Sequence, residues 1–299
     1  MKKLAPIVIF TYIRVEKLKK SIESLRQSNL SNRSHLYIFS DSAKNKKEEQ
    51  RVNKVREYIR SIKGFKKISI ILRKKNYGLS NNIIDGINKI INKHGKIIVV
   101  EEDIIVDKNF LNFLNYSLNF YKNKKSVWHI SGWNYNLKLP ITPDGYFTKT
   151  MNCWGWATWK NRWKYFEKKP KKIINSWTQD MIDEFNFDNT LNFFSQIIRN
   201  EKKKINTWAI FWYAVIFENK KLCLNPTFSH SENIGIGKGS THTNNIDEIF
   251  NSKINQEVKN KLKLPKVFKE NNFVRQKIKK EIKKMNQKKI LKKIKDYLL

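Results

Sequence analysis

The sequence predicts an α/β chain on a mainly parallel central sheet, and three features carry that prediction. The apolar runs in APIVIF (5–10), HLYIFSDS (35–42), KKISIILRKKNYG (66–78) and KIIVVEED (96–103) have the continuous aliphatic character of strands covered on both faces. Helical stretches of 13–17 residues separate them, long enough for the crossovers that parallel strands require. Each run leads into polar or acidic residues, at the carboxyl edge where open α/β sheets bind ligands.

Taken in order, APIVIF reads as a buried strand, and VEKLKKSIESLRQ (15–27) as an amphipathic helix with Leu18, Ile22 and Leu25 on one face. HLYIFSDS is a second strand ending in an acid, and KKEEQRVNKVREYIRSI (46–62) a second helix. A third strand and a loop precede LSNNIIDGINKIINKHG (79–95), which opens on a Ser cap and closes on Gly95. KIIVVEED is the fourth strand. Beyond Asp107 the alternation loosens into a helix (108–121), a short strand VWHIS (127–131) and a Trp-dense loop and helix, NCWGWATWKNRWKYF (152–166). A polar helical stretch over about 177–200, a buried helix NTWAIFWYAVIFENKK (206–221) and a Gly-rich loop SENIGIGKGSTHT (231–243) complete it. No internal repeat is visible. The expected division is one α/β domain, 1–245, with a Lys-rich helical extension, 246–299.

With 40% hydrophobic and 13% aromatic residues, the 299-residue chain can bury a sizeable core, which argues against global disorder. Its apolar runs fall short of the roughly 20 residues of a membrane span, and MKKLAPIVIF lacks the length and cleavage site of a signal peptide. Two cysteines, Cys153 and Cys223, argue against a disulfide scaffold and fit a reducing cytoplasm. The net charge of +35 raises a nucleic-acid partner. The excess is mostly Lys, however, accompanied by the Ile and Asn that AT-rich codons bring, so no specific nucleic acid is expected. The tail FVRQKIKKEIKKMNQKKILKKIKDYLL (273–299) places Ile278, Ile282, Met285, Ile290, Ile294, Tyr297 and Leu298 roughly along one side among lysines. That pattern suits an anionic membrane surface, hence a peripheral location at the inner face of the plasma membrane.

The strand ends gather Thr11, Arg14, Asp41, Asn76 and the triplet Glu101-Glu102-Asp103 along one edge. Three successive carboxylates behind four aliphatic residues repel one another and call for a positive partner. Hard oxygen donors suit Mn²⁺ or Mg²⁺, with a phosphate completing the shell.

Together the patches APIVIFTYIRVEKLKKSIESL, IFSDS, NYGLSNNI, VVEEDIIVDKNFLNFL, ISGWN, CWGWATWKNRW and SENIGIGKGSTH resemble the GT-A fold nucleotide-sugar glycosyltransferases. Within them the chain is similar to bacterial family 2-type enzymes and, more distantly, to N-acetylglucosaminyltransferase I. The resemblance implies that Thr11 and Arg14 hold the nucleotide base, with the family's Asn replaced by Ile13. It implies that Asp41 hydrogen-bonds a uracil ring, and it adds Asn76 and Gly78 to the nucleotide-sugar side. In the same way it directs Glu101 to sugar hydroxyls, Glu102 to ribose and Asp103 to the metal, with His242 as a further ligand. Gly235, Gly237 and Gly239 allow backbone N–H groups to approach a diphosphate, with Lys238 adding charge.

Trp154 and Trp156, flanking Gly155, are expected to form a floor for a sugar ring, and Trp159 and Trp163 to pack as i,i+4 partners. The resemblance places an acidic base where this chain has Ala209. Asp144, Asp180, Asp183, Glu184 and Asp188 are substitutes with nothing to choose among them. The reading is a metal-dependent, inverting glycosyltransferase acting from a UDP-sugar onto a cell-surface glycan or lipid-linked precursor. The alternatives are a sugar-activating nucleotidyltransferase, which would want a Gly-rich loop where TYIRVEK stands, and a non-catalytic nucleic-acid-binding protein.

Overall fold

β1 (Ile7–Thr11) pairs in parallel with β2 (His35–Ser40) on one side and β4 (Lys96–Glu101) on the other, and β3 (Lys67–Leu72) extends the sheet beyond β2. The intervening helices are α1 (Val15–Gln27), α2 (Lys46–Ser61) and α3 (Gly78–His94). This computed structural model describes residues 3–140, 143–235, 247–254 and 262–298, with side chains described through residue 291.

The alternation of β1 explains the layering. Ile7 and Ile9 join Leu18, Ile22 and Leu25 of α1 and Val55 and Ile59 of α2 in one core. Val8 and Phe10 face Ile83, Ile87 and Ile90 of α3 on the other side. Both faces are therefore covered, as the unbroken aliphatic runs require.

The second half contains more strands than the sequence predicts. After β5 (Ile104–Val106) and α4 (Phe110–Phe120) come β6 (Val127–Ser131), β7 (Gly145–Thr148) and β8 (Trp156–Trp159). Four helices follow, α5 (Lys160–Trp163), α6 (Pro170–Ser176), α7 (Gln179–Phe185) and α8 (Phe194–Glu201). The chain continues through α9 (Ala209–Glu218), β9 (Leu222–Pro226), β10 (Ser231–Asn233) and α10 (Asn272–Leu298). Among the described residues the main sheet runs β3-β2-β1-β4-β8-β6-β9-β7, and β5 and β10 form a separate antiparallel pair. Four of the seven pairings in the main sheet are parallel; β4–β8, β6–β8 and β7–β9 are antiparallel.

β8 corrects part of the loop and helix expected across 152–166, and the helix there is confined to α5. Trp156 and Trp159 lie on a strand and point to opposite faces of the sheet, into different cores. Trp159 and Trp163 are therefore not i,i+4 partners, although both are buried as expected.

His129 of β6 sits in the core stacked on Trp156. Its Nε2–H donates to the Asn152 carbonyl (2.9 Å), and its Nδ1 accepts from Trp212 Nε1–H (3.3 Å). Both ring nitrogens of the neutral imidazole are thus used, and a second proton would meet the Trp212 N–H.

The tail also departs from expectation. Val274, Ile278 and Ile282 of α10 are fully buried against Trp133, Tyr135, Leu139, Tyr146, Phe187 and Ile249. Arg275 and Lys279 both pair with Asp188, at 2.7 and 2.9 Å. Leu264, upstream of α10, joins the core around α1. The apolar face expected to meet lipid is therefore occupied by protein through Ile282, while Ile290 and Leu291 are exposed. Among the described residues no helix is long and apolar enough to cross a membrane.

Two predictions follow from this packing. Ile278→Ala should lower the unfolding free energy in urea by about 2–5 kcal/mol, whereas Leu291→Ala should stay within about 0.5 kcal/mol of the parent. Burial, partly offset by the Asn152 bond, pushes the His129 pKa from 6.5 down to about 3. The unfolded chain therefore binds a proton that the native state refuses. This contribution to stability is complete above pH 6.5 and declines below it, by up to about 1.4 kcal/mol per pH unit. The His129 ring resonances in NMR spectra should show no titration between pH 7.5 and about 5; a midpoint near 6.5 would refute the neutral assignment.

Candidate active site

The parallel register of β1 and β4 sets Phe10 opposite Glu101, so the residues after each strand meet. Glu102 is buried and turns back under the end of β1. Its Oε2 accepts from Thr11 Oγ1 and from the Tyr12 backbone N–H, both at 2.7 Å, and its Oε1 accepts from Arg14 Nε at 2.6 Å. The same guanidinium reaches Asp103, with Nη2 2.8 Å from Oδ2. Partial burial opposes the charge on Arg14, but Asp103 and Glu102 outweigh it and raise its pKa. The positive partner that the acid triplet requires is supplied, in this structure, by Arg14.

Glu101 is left as the third acid. Burial, then the charge of Asp103, then that of Glu102 push its pKa well above the carboxylate range, against the pull of Arg14. Cys153 belongs to the same electrostatic neighbourhood. Burial, followed by Glu101, raises its pKa and keeps it a thiol.

The second group forms where β2 ends. Asp41 is buried, and its carboxylate accepts from the backbone N–H groups of Ser42, Tyr77 and Gly78, each at 2.9 Å. Asn76 donates to the Ser42 carbonyl (2.6 Å). Gly78 has φ +71°, the left-handed turn from which α3 departs. Asp41, Asn76 and Gly78 are thus brought together, with Asp41 holding the entry to α3.

The sequence reading passed over several residues around this group. Arg73 is buried, paired with Asp85 (2.6 Å) and Asn82 (2.8 Å), and lies under the Tyr77 ring. The Tyr12 hydroxyl donates to Glu48 and accepts from the Lys44 N–H at 3.0 Å. An arginine at a strand end and a tyrosine next to a motif threonine were the available signals.

β10 carries the Gly-rich segment to the acids. It pairs with β5, and His230 Nδ1 lies 2.8 Å from Asp107 Oδ2 beside that pair. The Ile234 N–H then donates to the Asp103 carbonyl at 2.9 Å. A Cβ placed on Gly235 would lie 2.0 Å from Asp103 Oδ2, so a larger residue here would displace the Asp103 carboxylate. Gly237, Lys238, Gly239 and His242 lie outside the described residues.

The aromatic floor is corrected in two places. Trp156 is fully buried, stacked between His129 and Trp208, because its position on β8 points into the core. Gly155, at φ +76°, gives its carbonyl to the Gly132 N–H (2.7 Å), and a Cβ there would lie 2.9 Å from the Phe110 ring. Its role is to permit close packing. Trp154 is half-buried and meets Trp133 edge-on, with centroids 4.8 Å apart.

Of the acids weighed as bases, Asp144 accepts from the Lys263 N–H, Asp183 from Gln179, Glu184 pairs with Lys149, and Asp188 holds α10. Asp180 lies in the first turn of α7. Ala209 opens α9.

Among the described residues, no group of three or more His, Cys, Asp or Glu side chains is arranged to hold a metal. Glu102 already accepts three hydrogen bonds, so Asp103 is the carboxylate to consider. A single hard carboxylate fits the way Mg²⁺ is held when substrate phosphates complete its shell, and does not fit a cage made of protein ligands alone.

The four parallel strands bring basic and acidic groups together at their carboxyl edge. The GNT-I family model matches residues 1–199 of the 299, and the chain belongs to the GNT-I family. Among solved structures it is similar to S. aureus TarS at 13% identity over 47% of this chain and 23% of that one, with a TM-score of 0.31. The chain therefore spans less than a quarter of that TarS chain. A TarS structure of residues 1–349 aligns at 9% identity over 76% and 59% of the two chains, TM-score 0.41. The mannosyltransferase PcManGT from Pyrobaculum calidifontis, in complex with GDP-Man and Mn²⁺, aligns at 8% identity over 74% and 70%, TM-score 0.38. No curated protein matches the chain.

The bonding of Asp41 leads to a prediction. Asp41→Asn turns one acceptor oxygen into an amide NH₂ facing a backbone N–H. It should destabilise the fold by about 1–3 kcal/mol in urea unfolding, and an unchanged midpoint would show that the carboxylate does not hold the entry to α3.

Proposed function

We propose that this glycosyltransferase moves a sugar from a UDP-sugar to a cell-surface glycan or lipid-linked precursor, with Mn²⁺ or Mg²⁺ held at Asp103. The observation that carries the reading is the Arg14 guanidinium spanning Glu102 and Asp103 where β1 and β4 end. Arg14 and Asp103 stand ready for the two halves of a metal diphosphate: one binds phosphate oxygens, the other a cation.

In this reading the nucleoside lies over the ends of β1 and β2, with Asp41 and the entry to α3 at the base. Glu102 fixes Arg14 and the Thr11–Tyr12 backbone, so these groups need not reorganise as charge develops on the leaving diphosphate. Glu101, whose pKa is raised by burial and by the neighbouring acids, is the carboxyl placed to meet a sugar hydroxyl. A bound divalent ion supplies charge neutralisation for the departing diphosphate. The inverting course requires a base on the acceptor side, and at the start of α9 that position is Ala209.

The proposed location is cytoplasmic, peripheral to an anionic membrane. With the apolar face of α10 docked through Ile282, attraction rests on the lysines, at about 1 kcal/mol each near such a surface. It therefore falls as salt shortens the Debye length.

Calorimetry with UDP and Mn²⁺ tests the site. Binding is expected for the parent, and Asp103→Asn should weaken it by about tenfold or more, in line with the loss of one charged ligand. Equal UDP affinity in EDTA, or in the variant, would remove the metal from the account. Hydrolysis of UDP-, GDP- and dTDP-sugars in parallel identifies the donor, and preference for a base other than uracil would overturn the role given to Asp41.

A further inference from the structure

The amino ends of the strands, opposite the acid triplet, form a second charged edge. Lys96 opens β4, Lys160 follows β8, and Lys122, Lys124 and Lys125 precede β6, so the sheet order β4-β8-β6 sets them side by side. Lys96 Nζ donates to the Lys3 carbonyl (2.6 Å), and the Lys160 N–H donates to the Gly95 carbonyl (2.9 Å). Arg162 is buried with its guanidinium 4.6 Å from the centre of the Trp159 ring. Its Nη2 donates to the Lys122 carbonyl at 2.7 Å, which holds the lysine-bearing turn against β8. Lys122, Lys160, Arg162 and Lys164 border a cavity of about 420 Å³.

The segments that build this edge, 86–100, 108–143 and 145–166, contain no Asp or Glu. Glu218, at the end of α9, accepts from Trp177 Nε1 (2.8 Å). Among the described residues, Lys3, Lys96, Lys122, Lys160 and Lys164 pair with no carboxylate. Burial, then Lys3 and Lys122, lower the Lys96 pKa, the direction expected where like charges crowd. In α10, by contrast, Lys279, Lys284 and Lys289 each pair with an acid.

Exposed aromatic rings lie among these lysines. Phe120 ends α4 two residues before Lys122 and stacks on Tyr116, with centroids 6.1 Å apart. Tyr165 stacks on Trp128 of β6 at 5.0 Å. Lys164 Nζ lies 5.0 Å from the Tyr165 ring and Lys221 Nζ 5.7 Å from that of Trp128. Lysines interleaved with such rings suit an anionic lipid surface, where charge attracts the headgroups and aromatic side chains enter the wet boundary. Nucleic-acid recognition favours the bidentate arginine fork, and the arginine at this edge, Arg162, is occupied by backbone carbonyls.

We propose that the amino edge around Lys96, Lys122, Lys160 and Lys164 is the face by which the chain docks on an anionic membrane. This inference rests on the peripheral location proposed above and assigns the contact to this edge. Docked so, the acid triplet faces away from the lipid at the far end of β4, six residues or about 20 Å along the strand. An acceptor anchored in the membrane must extend by that length to reach the donor site.

The test is flotation of the full chain, at physiological ionic strength, with vesicles of phosphatidylglycerol and phosphatidylcholine in equal parts and with phosphatidylcholine alone. An edge variant (Lys122→Gln, Lys160→Gln, Lys164→Gln) and an α10 variant (Lys280→Gln, Lys283→Gln, Lys288→Gln) are compared with the parent, with melting curves to confirm folding. The parent should float with the mixed vesicles and not with the neutral ones. At about fivefold per lysine near such a surface, the edge variant should bind about a hundredfold more weakly. The α10 variant should stay within about threefold of the parent, because charges beyond a Debye length of the lipid are screened.

If the α10 variant loses as much binding as the edge variant, or more, this face is wrong and the peripheral reading stands on the tail. If the parent floats with neither vesicle, both fall; binding of an oligouridine that the edge variant loses would then assign these lysines to nucleic acid.

Discussion

The carboxylate of Glu102, buried where β1 and β4 end, is the constraint on which the site depends. An ionised carboxylate taken out of water is severely destabilised unless hydrogen bonds replace its hydration. Glu102 receives a hydroxyl, a backbone N–H and a guanidinium, from Thr11, Tyr12 and Arg14. These donors come from residues 11–14, where β1 ends. The requirement to satisfy one acid therefore sets the path of the chain from β1 into α1. It also orients Arg14 before any ligand arrives.

Neighbouring features inherit their geometry from this arrangement. Arg14 carries the order outward to Asp103, whose backbone carbonyl receives the Ile234 N–H and so fixes the end of β10. The His230–Asp107 pair strengthens the junction from the other side of β10. Burial and the neighbouring Asp103 push the pKa of Glu101 upward, which favours its neutral form and limits the repulsion within the triplet. In a chain of net charge +35, a local concentration of acid persists because an arginine and buried hydrogen bonds hold it in place.

The first four strands and three helices were legible because their signals are local: continuous aliphatic runs, helical periodicity, and Gly95 as a stop. The sequence also located the edge where Thr11, Arg14, Asp41 and the acids meet, since topology alone places strand ends together. It did not show that Arg14 answers the charge of the triplet, because that pairing depends on the register that sets Phe10 opposite Glu101. WATW was read as part of a helix because tryptophans at 156, 159 and 163 imitate helical spacing. As a strand it is held by β4 and β6, neighbours distant in sequence. Trp156 and Gly155 consequently belong to packing, against Trp208 and Phe110 respectively.

The tail follows the same logic on the other side of the molecule. An amphipathic basic helix has two ways to satisfy its apolar face, lipid or protein, and periodicity does not distinguish them. Here the face of α10 completes a core containing Trp133, Tyr146 and Phe187. Its charged side pairs with an acid of the preceding segment, and the residues leading into it hold a second. Asp188 pairs with Arg275 and Lys279, while Lys149 joins Glu184 by its amine and Glu270 by its backbone N–H. Two of the acids weighed as bases, Glu184 and Asp188, are thus tied to the segment that docks α10.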